Sequence, residues 1–414
     1  MSKLMAVSQD FAPPFKLIAP YFIIGSIFFV ISSILLFGID ISSLNSLDSA
    51  TLSWVHIFLL GFVMMIIFGA MAQLVPVVLE VGHFAVELYY VIYPLLLIGT
   101  ILMGYGFINS PALLPYGGIV VLISLLIFVL ETFLTINKVK KLNLVMMSVL
   151  LANTFLFLGL IFGILMALGY AGTISIDIMS LLKAHIYLVL AGYVGVTIMG
   201  MSLILLPMFW LSHSFSWKPV EYALWTISFG VISVMLSSIF DSFLLEYIGY
   251  LLTISALILY FYQIYVIYKT RVRLDKDIYL YSLIFSYSSL LLSIIMGLIY
   301  LVNPSENLLL TIGWVLFLGY ITFIINGHLY KIVPFLVWYE RFSPLIGKQK
   351  VPMLADMVPV FSAKFQFIFS ASGVIIGGFG ILLGDNNIFK AGISFLVVGS
   401  IFMIKDLMFM INYR

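Results

Sequence analysis

Gly69-AMAQLV-Pro76, Gly200-MSLILL-Pro207 and Gly327-HLYKIV-Pro334 are three copies of one pattern, a glycine followed seven residues later by a proline inside an apolar stretch. They recur at 200 − 69 = 131 and 327 − 200 = 127 residues. That interval holds about four membrane helices, so the chain reads as one four-helix unit used three times. The glycines suit close helix packing and the prolines a kink at the inner end of three equivalent helices. Two copies also have a histidine upstream, His56 thirteen residues before Gly69 and His185 fifteen before Gly200. The third copy has Trp314 there, and its histidine is His328.

Composition sets the class. The 414 residues are 64% hydrophobic and 9% charged, too little polar surface for a soluble globule of this length. The chain reads as a polytopic membrane protein. A net charge of +2, with no basic run interleaved with aromatics, gives no sign of nucleic-acid binding. Cysteine is absent, which excludes disulfides, iron–sulfur clusters, thiolate-ligated heme and covalent c-type heme. The polar, proline-containing start MSKLMAVSQDFAPPFK lacks a small-residue cleavage site behind a short apolar core. The first hydrophobic run therefore reads as a retained helix.

Apolar runs long enough to span a bilayer number about twelve: 15–38, 51–79, 84–108, 112–136, 143–169, 178–211, 219–240, 243–268, 278–302, 306–338, 366–384 and 388–411. The expected fold is all-α and integral to the membrane, one domain over 1–414 with repeats near 15–136, 143–268 and 278–411. Lys138, Lys140 and Lys141 follow the fourth span, Lys218 the sixth, Lys269, Arg271, Arg273 and Lys276 the eighth, and Arg341, Lys348, Lys350 and Lys364 the tenth. The opposite loops hold Asp40, Asp48, Asp177, Asp241, Glu246, Glu306 and Asp385. The positive-inside rule then puts both termini in the cytoplasm, in a multi-pass protein of the cell's inner membrane. Spans two, six and ten all run inward, and three arcs of four helices follow about a pseudo-threefold axis along the membrane normal.

That equivalence turns offsets into depth. Counted back from the repeat proline, His56 and His185 differ by two residues, about 3 Å along a helix. Both sit near the outer face and could share a ligand. His328 lies roughly 21 Å deeper than the Trp314 position. Near the inner face the chain also offers His83 and His213, seven and six residues past their prolines, as further members of an inner cluster with His328. Five histidines in 414 residues is sparse, and an ionisable group in a membrane span is a functional-site hypothesis by default. The bland alternative for each is a ring at headgroup level or hydrogen-bonded to a neighbouring helix. Lys183 and Lys331 read as isolated intramembrane cations, either snorkelling to the interface or pairing with an anion such as a heme propionate. Glu87, Glu131, Lys405 and Asp406 lie near span ends and read as interfacial, without chemistry.

Two neutral imidazoles on facing helices match heme b, whose iron takes axial imidazoles and whose macrocycle suits apolar walls. Copper would need a third imidazole and zinc a fuller ligand set. A quinone would need a polar handle, for which Tyr187, Gln73 or Asn326 are available. Twelve spans in three arcs, with a histidine on span two ahead of Gly-x6-Pro and the same pattern on span ten, resemble the catalytic subunit of the heme-copper oxidase superfamily. The resemblance covers nearly the whole chain as architecture and implies that His56 ligates a low-spin heme. The family's opposing ligand falls at Trp314, its high-spin heme ligand at Ile312, and its span-seven copper histidines are missing from Glu221–Asp241.

The chain is thus more similar to divergent non-oxidase members, such as the NnrS-type membrane proteins linked to nitric oxide tolerance. The expectation is a b-type heme protein with axial ligands among His56, His185 and His328 and propionate partners in Lys183 and Lys331. It would carry electrons, from a donor such as quinol or cytochrome c, or bind a small gas, without copper and without acting as a terminal oxidase. A homo-oligomer is left open. The competing class is a secondary transporter whose histidines and lysines bind substrate or protons.

Overall fold

The computed structural model describes residues 11–41, 45 and 47–414. The polar N-terminal segment 1–10 lies outside them. The described residues form helices and turns, with no strand. Twelve helices are long and apolar enough to cross a membrane: Phe15–Gly38, Ser49–Leu79, Val86–Asn109, Pro111–Ile136, Leu144–Tyr170, Ile178–Trp210, Lys218–Phe240, Phe243–Lys269, Ile278–Val302, Glu306–Arg341, Val360–Leu383 and Asn386–Ile411. These are spans 1 to 12, and the multi-pass membrane class stands. Eleven starts agree with the sequence reading to within two residues. Span 11 starts six residues earlier than expected, because Pro359, not the charge on Lys364, sets its boundary. Lys364 lies exposed in its second turn.

The chain packs as two compact units. One holds Gln73–Leu102 and Ser110–Asp275, with Phe11 and Ala12; the other holds Pro13–Ala72, Met103–Asn109 and Lys276–Arg414. The borders cut through spans 2 and 3, so the first repeat is not a packing unit by itself.

Local structure nevertheless repeats three times. Spans 2, 6 and 10 start from capping side chains that accept a backbone N–H: Asp48 from Ala50, Asp177 from Met179 and Ser305 from Leu308. Each is α-helical for its first two turns and then becomes π-helical, over Ile57–Met64, Tyr187–Gly195 and Val315–Ile321, before returning to α. The π turn explains a glycine pattern. Gly61, Gly192 and Gly319 each stand eight residues before the glycine of the Gly-x6-Pro copy. In an unbroken α-helix two residues eight apart would face about 80° away from each other. A π turn absorbs one residue and brings both glycines onto one face.

That face packs on the preceding span. A Cβ built on Gly61 would fall 2.5 Å from Phe28 Cγ, and one on Gly69 2.7 Å from Tyr21 Cβ. The matching approaches are Gly192 to Phe155 Cβ at 2.7 Å and Gly200 to Ser148 Cβ at 2.5 Å, then Gly319 and Gly327 to Ser289 and Ser282 Cβ at 2.8 and 2.9 Å. The partners are seven apart in every case: 28 − 21, 155 − 148 and 289 − 282. Seven residues of straight α-helix are thus read against eight of an interrupted one. The last two spans of each repeat cross at glycines in the same way, Gly99 on the carbonyl of Gly117, Gly230 on that of Gly249 and Gly373 on that of Gly392.

Candidate functional site

His56 is the last α-helical residue before the π segment of span 2. Its Nδ1 lies 2.8 Å from the carbonyl of Leu52, one turn back. The ring packs on Phe107 of span 3, centroids 4.7 Å apart. Ser53 Oγ donates to the Gly104 carbonyl at 2.8 Å, holding the same helix face against span 3. Trp54, on another face, donates to the Ser32 carbonyl of span 1.

His185 precedes the π segment of span 6 by two residues. Its Nδ1 is 2.9 Å from the carbonyl of Gly159 on span 5. The ring lies over Gly163, where a Cβ would come within 3.0 Å of Cε1. Gly163 thus leaves room for this imidazole, and Gly159, one turn back, supplies the carbonyl it bonds to.

His56 and His185 share a chemical disposition. In each, Nδ1–H donation to a main-chain carbonyl leaves Nε2 as the lone-pair nitrogen, the arrangement that orients and fixes a ligating imidazole. A neutral imidazole held in this way is of the kind that can serve as an axial ligand of heme iron.

His328 lies on span 10. Its Nδ1 faces the Ile324 carbonyl at 2.7 Å and its Nε2 faces the Tyr279 hydroxyl at 3.4 Å, so both nitrogens have protein partners. The reading of Lys331 as an isolated cation is corrected here: Nζ is 2.6 Å from Asp277, which also caps span 9 through Leu280 N. Lys183 likewise pairs with Glu246 at 2.5 Å, and Tyr250 donates to the same carboxylate at 2.7 Å. Each carboxylate lies more than fifty positions away in the chain, so no local signal announced it.

Trp314 is turned to span 11. Its Nε1 donates to the Val374 carbonyl at 2.8 Å and its ring seats on Gly377 and Gly378. Where span 2 meets span 10, Trp54 and Phe58 lie 6.5 and 6.0 Å from Phe317.

His213 is exposed after the left-handed Leu211. His83 is bonded to Glu131, Nδ1 to Oε1 2.9 Å, with side chains 2% and 0% exposed. The described residues hold no group of three or more His, Asp or Glu placed to bind a metal ion. The interfacial reading of Glu131 and Asp406 is also corrected, since both are fully enclosed, Asp406 accepting from Tyr330 at 2.7 Å. Sequence reasoning missed them for want of a register. Counted from the crossing glycines Gly117, Gly249 and Gly392, the residue fourteen positions on is Glu131, Gln263 and Asp406.

No protein-family model matches the chain, and no curated protein is matched by it.

Proposed function

We propose that this is a b-type heme protein of the inner membrane, with both termini cytoplasmic, in which His56 and His185 are axial ligands. The observation behind the reading is that these two histidines head the π segments of equivalent helices and each has Nδ1 tied to a main-chain carbonyl. π segments inside α-helices occur frequently at functional sites. Bound through these nitrogens, heme would supply a one-electron couple or an iron that takes a small gas. The chain's own part is to hold the two imidazoles in one tautomer, to leave room for the His185 ring over Gly163, and to exclude water with apolar spans. Lys331 and Lys183 are matched by Asp277 and Glu246, so they leave the ligand scheme. With Trp314 of span 10 bonded to span 11 and no histidine on span 7, this reading keeps heme binding from the resemblance to heme-copper oxidases and leaves out oxygen reduction.

The test is the visible spectrum of the purified protein, oxidised and dithionite-reduced. A six-coordinate low-spin heme b spectrum is expected, abolished or converted to high spin in His56→Ala and in His185→Ala. Protein without a chromophore after expression with ample heme refutes the reading and favours secondary transport. That second reading has one observation in its support, the protonatable side chains enclosed at matching positions of the first and third repeats.

A further inference from the structure

The inner ends of the three repeats are tied in different ways. In the first, Lys138, two residues past the end of span 4, sends Nζ to the carbonyls of Gly82 and His83 at 3.2 and 2.8 Å, joining the exit of span 4 to the turn after span 2. In the third, Arg341 at the end of span 10 donates from Nη1 to the Tyr413 carbonyl, just past span 12, at 3.1 Å. The middle repeat makes the same tie with main chain. Val272 N bonds to the Leu211 carbonyl at 3.3 Å and Arg273 N to that of Trp210 at 3.1 Å, an antiparallel bridge centred on Ser212 and Arg271. Arg271 stands where Lys138 stands, two residues past the end of its span. Its side chain takes no part in the tie.

We propose that Arg271 is the phosphate anchor of a bound anionic phospholipid. Its guanidinium lies over the Tyr268 ring, 3.5 Å from the centroid, and Nη1 donates to the Tyr268 carbonyl at 2.6 Å. Trp210 meets the same ring edge-on at 5.6 Å. A rotamer-rich side chain is thereby fixed in one place. Among the described residues no carboxylate pairs with it, and the nearby acid in the chain, Asp275, is taken by Arg273 at 2.9 Å. The remaining N–H groups form the planar fork that grips two oxygens of a phosphodiester.

The surroundings belong to the headgroup layer, where tryptophan and tyrosine collect. Arg271 and Arg273 are half-buried, while Leu211, Val272 and Leu274 are 49%, 67% and 69% exposed. Aliphatic side chains flanking a fixed guanidinium suit a molecule that carries both an anion and hydrocarbon; a free phosphate would use only the first. Preference for a net-negative headgroup follows from the neighbours. Lys269, two positions back, holds Nζ over Tyr265, so a choline or ethanolamine group would meet a second cation, with Asp275 already paired. The site stands apart from the heme reading, since no histidine takes part in it.

Native mass spectrometry of the full chain in neutral-detergent micelles, titrated with phosphatidylglycerol, gives the affinity of the first bound lipid. Arg271→Gln should weaken it about tenfold, and Arg271→Lys, which keeps the charge and loses the fork, about threefold. Lys140→Gln removes an equal charge from the exposed exit of span 4 and should leave the affinity within about twofold. If Arg271→Gln does not fold, Tyr268→Leu removes the stacking partner without changing the charge and should weaken binding about threefold. Phosphatidylcholine should bind about tenfold more weakly than phosphatidylglycerol. Unchanged affinity in the Arg271 or Tyr268 variants, an equal loss in Lys140→Gln, phosphatidylcholine bound as tightly, or displacement of the lipid by an equal concentration of inorganic phosphate overturns the proposal.

Discussion

Replacing Gly200 with alanine tests the threefold packing scheme at its tightest contact. The added methyl would lie 2.5 Å from Ser148 Cβ, against about 3.5–4.0 Å for carbon atoms in contact. Ser148 can swing its hydroxyl aside by rotating χ1. Its Cβ is fixed to span 5, so the two helices must part by about an ångström. Overpacking of this size costs about 1–3 kcal/mol, and the better helix propensity of alanine returns up to about 1 kcal/mol. The expected net loss is about 1–2 kcal/mol. Ser148→Gly removes the opposing Cβ, so the double variant should recover most of that loss, a coupling of about 1–2 kcal/mol in favour of the pair. Reversible denaturant titration in mixed micelles, followed by far-ultraviolet circular dichroism, measures all four corners of the cycle. Gly297→Ala is the control, since a Cβ there meets nothing within 4 Å. A Gly200→Ala protein as stable as the parent, with coupling below about 0.3 kcal/mol, would refute close approach at the repeat glycines.

Three more outcomes follow from particular contacts. Gly163→Ala places a methyl 3.0 Å from His185 Cε1 and 3.3 Å from Nδ1; displacement of the ring from Gly159 should weaken heme binding about tenfold, read by titrating hemin into apoprotein, and unchanged affinity would remove His185 from the site. Tyr330→Phe withdraws the hydroxyl bonded to the enclosed Asp406 at 2.7 Å and should cost about 1–3 kcal/mol in the same denaturant assay. Lys331→Ala and Asp277→Asn should each destabilise by about 1 kcal/mol, with the double variant no worse than either; additive losses would mean that the 2.6 Å pair contributes nothing.

The spans were legible in the sequence because a run of about twenty apolar residues has few other uses. Span 11 was the exception, since a lone Lys364 mimics a loop while its side chain can reach the interface from within the helix. The Gly-x6-Pro copies and the histidines before them were legible from spacing alone. The second glycine of each pair was not, because eight is the wrong interval for a helix until a π turn is known to intervene. The partners of Lys183 and Lys331 were hidden for another reason: ion pairs across 63 and 54 residues depend on which helices meet, and apolar periodicity does not encode that. Glu131 looked like a span-end residue of no account, and His83 like a member of an inner histidine cluster, until folding bonded one to the other.

The π segments have an implication for how this chain can change. Each one works as a splice of one extra residue in an otherwise regular rod. Deleting a single residue there would let the helix heal to plain α and turn everything beyond the splice by about 100°, so that Gly61 and Gly69, or their counterparts, would no longer address the same neighbour. The stretch bearing His56 or His185 and the stretch bearing the proline are therefore indexed separately along one rod. Residues before the splice can drift, as the two-residue offset between His56 and His185 records, while the seating of the remainder against its neighbour is preserved.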